Sequence, residues 1–318
     1  AVDAGMAMIT LDLTEKMNAA AEKWSADQVE AAFANLPTNV RERIVGTYAD
    51  RTFDVAGEVI QIAALEAKRC AVMYLAAMDF SKEVYELLRS RRGDAFDLEI
   101  SIDETEAPTL PEHHLFIIRE LLYRDVQVNS LAPRFIGEFQ KAIDYIGDLA
   151  EFERQFRIHC AISKAYGEYK ISIHSGSDKF SAYPIIGRYT HHRVHVKTAG
   201  TSWLEAVRAI AVADPALYRV MHAKAFAVLP EALKLYHITP CLGNIPALDT
   251  VADADLAGLM NQNDARQLVH VTYGGLLQAP EVRSRFFAAL DANEEVYYDL
   301  LQKHFEKHMS TLGLTPLA

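Results

Sequence analysis

The sequence predicts an α/β fold of the (β/α)8 TIM-barrel type, incomplete, with about six strands present. Three observations carry this. Short β-rich runs alternate with amphipathic helical stretches, and parallel strands need such crossover connections. Nearly every run ends in polar or ionisable residues, where barrel enzymes place catalytic groups, whereas a doubly wound sheet concentrates them near one switch point. Half of the 318 residues are apolar and 24% are charged, enough to build a large core.

The elements follow in order. Residues 6–13 (MAMITLDL) read as the first strand, ending at Asp12. Residues 24–92 are mostly helical in period and too long for one crossover, so they read as a helical insertion within a single barrel-type domain, 1–318. Strands are then expected over 97–103 (DLEISID), 125–131 (DVQVNSL), 169–175 (YKISIHS), 193–198 (RVHVKT) and 235–239 (LYHIT), with helices over 112–123, 135–157, 202–212 and 215–234. Residues 264–312 read as a helical tail. Six strands do not close the usual barrel. The start at Ala1, resembling a helix end stopped by Gly5, is read as continuing from an upstream region that holds the first strands.

The formal charge of −11 argues against nucleic acid or anionic lipid as partner, but not against an anionic small substrate. Cys70, Cys160 and Cys241 are odd in number and far apart, which suits reduced thiols in a cytoplasmic protein. No apolar run reaches the ~20 residues of a membrane span. Oligomeric state is not indicated.

Candidate chemistry sits at the strand ends. Asp103-Glu104 suits a divalent cation or a general base, and equally a surface loop or helix cap. In KISIHSGSDKF, alternation puts Ser172 and His174 on one face, so His174 is a metal ligand or acid/base, or a satisfied core histidine. The following Ser175-Gly176-Ser177-Asp178-Lys179 offers backbone N–H groups to an anion. Lys197 could neutralise a carboxylate or an enolate oxygen. Beyond Thr198, the opening at Gly200-Thr201-Ser202 suits anion binding or plain helix capping. His237, with Glu104 and His174, completes a carboxylate-plus-two-histidine set suited to divalent Zn, Mn, Co, Ni or Fe. Arg134 could fork onto a carboxylate or form a surface ion pair. His304 and His308 read as a solvated helix face, and His113-His114 and His191-His192 as loop residues. No partner histidine can be placed beside Cys160 or Cys241, so no thiol nucleophile is expected.

At 101–117, 130–148, 170–188, 195–208, 235–239 and 263–277 the sequence resembles the tagaturonate epimerase (hexuronate C4-epimerase) family, and the opening AVDAGMAMITLDL fits as well. The resemblance implies a (β/α)8 barrel, a divalent metal, and interconversion of D-tagaturonate with D-fructuronate, small ketouronates. It implies Glu104, His174 and His237 as metal ligands and Asp12, Lys179, Lys197 and Arg134 as pocket groups. Ser175 and Thr198 lie beside them as substrate contacts, and Glu104, Asp12 and Lys197 are the expected catalytic groups. It also implies an upstream region with further pocket residues, including a catalytic Asp, without which this chain is expected to bind metal weakly or be inactive.

Chemistry narrows the expected reaction. C4 is β to the C2 ketone, so enolisation cannot invert it directly. With no dinucleotide fingerprint, retro-aldol cleavage and re-addition is favoured over oxidation at C4. Two other readings stay open: a metal-dependent aldose–ketose isomerase, and an inactive barrel serving as a binding module.

Overall fold

The computed structural model describes residues 2–198 and 200–315, the side chain of Thr201 excepted. Ala1 and Ala199 therefore lie outside the described residues, and Gly5 closes a turn on Val2 rather than a helix (N to O 3.1 Å). Strand β1 (Met8–Asp12) comes first. Strands β2 (Arg51–Val55) and β3 (Glu58–Ile62) form a separate antiparallel hairpin. Strands β4 (Asp97–Ser101), β5 (Ser130–Ala132), β6 (Lys170–Ile173) and β7 (Val194–Val196) join β1 in a five-stranded open sheet of order β1-β4-β5-β6-β7. The pairings β1–β4, β4–β5 and β5–β6 are parallel. The α/β class and parallel sheet stand; the observed sheet is not a closed barrel.

The helices are α1 (Ala26–Ala34), α2 (Thr38–Tyr48), α3 (Ala64–Arg92), α4 (Pro111–Tyr123), α5 (Leu149–Ala165) and α6 (Tyr183–Thr190). They continue with α7 (Thr201–Ala213), α8 (Pro215–Ala232), α9 (Asn263–Val271), α10 (Tyr273–Gln278), α11 (Pro280–Asp291) and α12 (Glu294–Thr311).

The chain divides into two compact units. The first comprises Ala1–Gly137, Gly147–His174 and Tyr189–His195. Within it α4 packs against α3 and α5. Leu98 and Ile100 of β4 and Ile171 and Ile173 of β6 are buried, as are Phe116, Phe152 and Phe156 on the helices. Alternation along β4 therefore sends Glu99 and Ser101 to the opposite face from the leucine and isoleucine. The second unit comprises Glu138–Ile146, Ser175–Arg188 and Val196–Ala318. Here α7 packs on α8, α11 and α12 around Leu204, Val207, Ile210, Tyr218, Met221 and Phe286.

Four sequence expectations change. Residues 24–92 are not all helical, because Val55-Ala56-Gly57-Glu58 closes the β2–β3 hairpin. Ala56 (φ 53°) and Gly57 (φ 92°) both take the left-handed conformation that a two-residue turn matching strand twist requires. Residues 135–157 are not one helix. Gly137 (φ 81°) and Gly147 (φ 152°) interrupt the segment, and α5 starts only where Asp148 caps it through the N–H groups of Ala150 and Glu151. Residues 235–239 form no strand: the backbone N–H groups of Leu235 and Tyr236 donate to Ala232 O, and Leu235 is 79% exposed. Strand β5 begins at Ser130, at the end of the expected run.

Candidate active site

On the polar face of the sheet, the first unit gathers side chains from successive strands around one carboxylate. Glu99, in the middle of β4, is fully buried. Its Oε1 accepts from Thr10 Oγ1 (3.1 Å) on β1 and lies 2.9 Å from His174 Nε2 at the end of β6. Its Oε2 accepts from Ser130 Oγ (2.7 Å) on β5 and lies 2.7 Å from His195 Nδ1 on β7. His195 Nδ1 also meets Ser172 Oγ at 3.0 Å. On its other side, His174 Nδ1 lies 2.9 Å from Asp103 Oδ1, which also accepts from Ser101 Oγ at 2.5 Å.

The geometry fixes charge. Burial pushes Glu99 upward, but hydrogen bonds from His174, His195, Ser130 and Ser172 outweigh it and hold the carboxyl well below the usual carboxylate range. Burial likewise opposes charge on Asp103, and His174 with Ser101 reverses that effect. Both ring nitrogens of His174 face carboxylate oxygens, and each such contact suits an N–H or a cation in its place. Exposure is graded: the side chain of Glu99 is 1% exposed, His174 8%, Asp103 20% and His195 32%. Glu99 is thus an anchor, while Asp103 and His195 form the reachable rim. Carboxylates meeting imidazoles is also a donor set that a divalent cation accepts.

The expected site residues fall differently. His174 lies inside this network. Glu104 follows Asp103 and is exposed. Asp12 is exposed and folds back on Thr14, accepting from its N–H (2.9 Å) and Oγ1 (2.7 Å). Arg134 is half-buried, its backbone bonded both ways to Thr109. His237 belongs to the second unit, its side chain 75% exposed and its Nε2 3.6 Å from Glu138 Oε2.

In the second unit, Ser175 takes a left-handed conformation (φ 51°) and accepts from Lys141 Nζ at 2.7 Å. Lys179 is fully buried and donates to the carbonyls of Gln140 (2.8 Å), Ile143 (2.6 Å) and Ser177 (2.9 Å). Three protons are committed, leaving none for a substrate carboxylate. Burial pushes its pKa down to about 7, against the opposing pull of Asp178 and Asp144. Lys197 is exposed, its carbonyl accepting from Gly176 N at 3.0 Å, and Thr198 is half-buried. The opening of α7 is no bare anion site. A Cβ on Gly200 would fall 1.8 Å from His270 Nε2, and Gly200 at the N-cap makes no side-chain cap hydrogen bond.

Two histidine readings are corrected. His113 and His114 are buried in α4, not in a loop, and His114 Nδ1 lies 2.8 Å from His159 Nδ1. His304 and His308 are turned inward beside Asp178: His308 Nδ1 donates to His304 O (2.8 Å), and its Nε2 accepts from Asp178 N (3.1 Å). Glu99 and His195 were missed, although the alternation that singled out His174 also puts Glu99 on the polar face of DLEISID. Among the described residues, two sets place metal-ligating atoms within 4.8 Å of one another: Glu66, Cys70 and His113, and Asp178, His304 and His308.

The family model for tagaturonate epimerase (UxaE) matches residues 1–312. The tagaturonate/fructuronate epimerase of Thermotoga maritima is 42% identical over 272 residues, which cover 86% of this chain and 56% of that protein. The native crystal structure of the fructuronate-tagaturonate epimerase of Cohnella laeviribosi superposes with a TM-score of 0.96 at 46% identity, covering 99% of this chain and 65% of that one. A glycerol complex of the same enzyme matches equally. The chain thus spans less than two thirds of the length of these relatives.

Proposed function

This chain belongs to the tagaturonate epimerase family, and from that premise we propose that it takes part in the C4 epimerisation of a hexuronate, interconverting D-tagaturonate and D-fructuronate on a barrel-type scaffold with a divalent cation. The observation that carries the reading is the Glu99–His174–Asp103–His195 network at the sheet, where carboxylates and imidazoles face one another. Relatives with this activity support the substrate class.

The donor set fits a divalent cation. His174 and Asp103 would hold it, with Glu104 next in sequence, and it would supply Lewis-acid polarisation of the ketone and its neighbouring hydroxyl. The protein's own groups handle the proton. His195, at the rim, takes the proton from the C4 hydroxyl. The C3–C4 bond then breaks, its electron pair moving toward the C2 ketone to give an enediolate, while C4 becomes an aldehyde. The aldehyde rotates, C3 attacks its other face, and His195 returns the proton to the C4 oxygen. Atoms and electrons balance without an external oxidant. Glu99, held by hydrogen bonds on both oxygens, orients His174 and His195 and does not react. Arg134 meets the substrate carboxylate.

The test is turnover of D-tagaturonate to D-fructuronate by the chain with added Mn(II), Co(II) or Zn(II). Conversion of D-galacturonate instead would sink the epimerase reading in favour of an aldose–ketose isomerase. A labelled three-carbon aldehyde acid that never enters product would count against cleavage.

A further inference from the structure

A second set of ligand-type side chains lies in the first unit, outside the proposed reaction. Glu66 and Cys70 are four apart on α3 and so share one helix face. His113 reaches them from the first turn of α4. One carboxylate oxygen, one sulfur and one ring nitrogen all lie within 4.8 Å of one another. Cys70 and His113 are buried, with 0% and 1% exposure.

The surroundings orient each donor. His113 Nε2 lies 2.7 Å from Glu66 Oε1, while its Nδ1 lies 2.9 Å from Tyr74 Oη, one helical turn beyond Cys70. Arg69 holds the other oxygen of Glu66 at 3.2 Å and is itself fixed by the carbonyls of Ala21, Glu22 and Trp24. A metal-ligating histidine typically has its second nitrogen fixed in this way, and a ligating carboxylate its second oxygen. Glu22 Oε2 is also buried without a hydrogen-bond partner among the described residues, and it acts electrostatically on Tyr74.

We propose that Glu66, Cys70 and His113 form a second, structural metal site for zinc or a similar thiophilic divalent ion, pinning α3 to α4. On binding, the Cys70 thiol and His113 Nε2 each release a proton, and the metal takes their place. The Nε2–Oε1 gap would open from 2.7 Å toward about 3.3 Å, the edge of a tetrahedron with ~2.0 Å bonds. Glu66, with 26% of its side chain exposed, leaves the fourth position to water. The other three-residue set is less suited, because His308 Nε2 already accepts from Asp178 N–H and Arg266 pairs with Asp178 at 2.9 Å.

Cobalt(II) tests this independently of the catalytic reading, since none of the proposed catalytic groups carries sulfur. The full chain with exposed Cys241→Ser is loaded with Co(II), its ions per chain are counted, and its near-ultraviolet spectrum is recorded. The expected result is a sulfur-to-cobalt charge-transfer band that Cys70→Ser abolishes, with one ion fewer per chain. His113→Gln should weaken Co(II) binding on the order of 100-fold while Glu99→Gln keeps the band. No band in the parent protein, or a band that survives Cys70→Ser, overturns the site. Should Cys70→Ser fail to fold, X-ray absorption of the zinc-loaded parent decides. A sulfur neighbour at about 2.3 Å supports the site and an all nitrogen/oxygen shell refutes it.

Discussion

Both units bury charged side chains, but they use them differently. In the first, Glu99, His174, Asp103 and His195 partner one another, and the network runs from a buried anchor to a one-third exposed rim. In the second, Lys179 places its ammonium on three backbone carbonyls, while Arg266 pairs with Asp178 and donates to Ala142 O. Titratable groups that face each other can exchange protons or take up a cation. An ammonium spent on carbonyls fixes the course of the chain and has nothing left for substrate. Burial of a polar residue is therefore a poor guide to function; the identity of its partners is a better one.

The sharpest way to break this contrast is Glu99→Gln. It keeps size but removes the charge that orients two imidazoles, and epimerisation should fall by about 10²–10⁴-fold in kcat with little change in KM. A loss below about threefold, with native circular dichroism, would show that this network is not the reaction centre.

Lys179→Met should instead act on stability. Stranding three buried carbonyls should cost about 3–5 kcal/mol by urea denaturation, whereas Lys197→Met, at an exposed position, should stay within about 0.5 kcal/mol. Equal effects of the two would erase the proposed locking role.

A third probe is the buried His114–His159 pair. Burial lowers His159 to about 3 and holds His114 well below its usual value, so both stay neutral in the folded chain. The unfolded chain takes up those protons first. Stability is therefore complete above about pH 6.5 and declines as pH falls toward 3, by up to ~1.4 kcal/mol per pH unit for each group. His159→Gln should flatten that slope, and denaturation midpoints at pH 7, 6 and 5 would reveal it.

The smallest effect sets the scale of an ordinary structural bond. Ser25 and Gln28 close a reciprocal cap on α1, and Ser25→Ala should cost about 1 kcal/mol in the same urea experiment without altering turnover.

The sequence by itself determined the local periods. Alternation in DLEISID and KISIHS places β4 and β6 within two residues of their observed bounds, and the 3.6-residue pattern finds α4, α7 and α8. It also carried the family resemblance. The hairpin turn at Ala56-Gly57 and the breaks at Gly137 and Gly147 were legible only weakly, because a glycine marks a permitted conformation without requiring it. LYHIT shows the opposite error: five residues of strand-like composition pair with no strand among the described residues. What only the tertiary structure decided is which polar residues meet. Glu99, His174 and His195 sit on different parallel strands separated by long crossovers, and strand order and register are not written in any one strand. The same holds for His113, His304 and His308. Whether a histidine on a helix faces water or a carboxylate depends on what packs against that helix, and local spacing does not encode it.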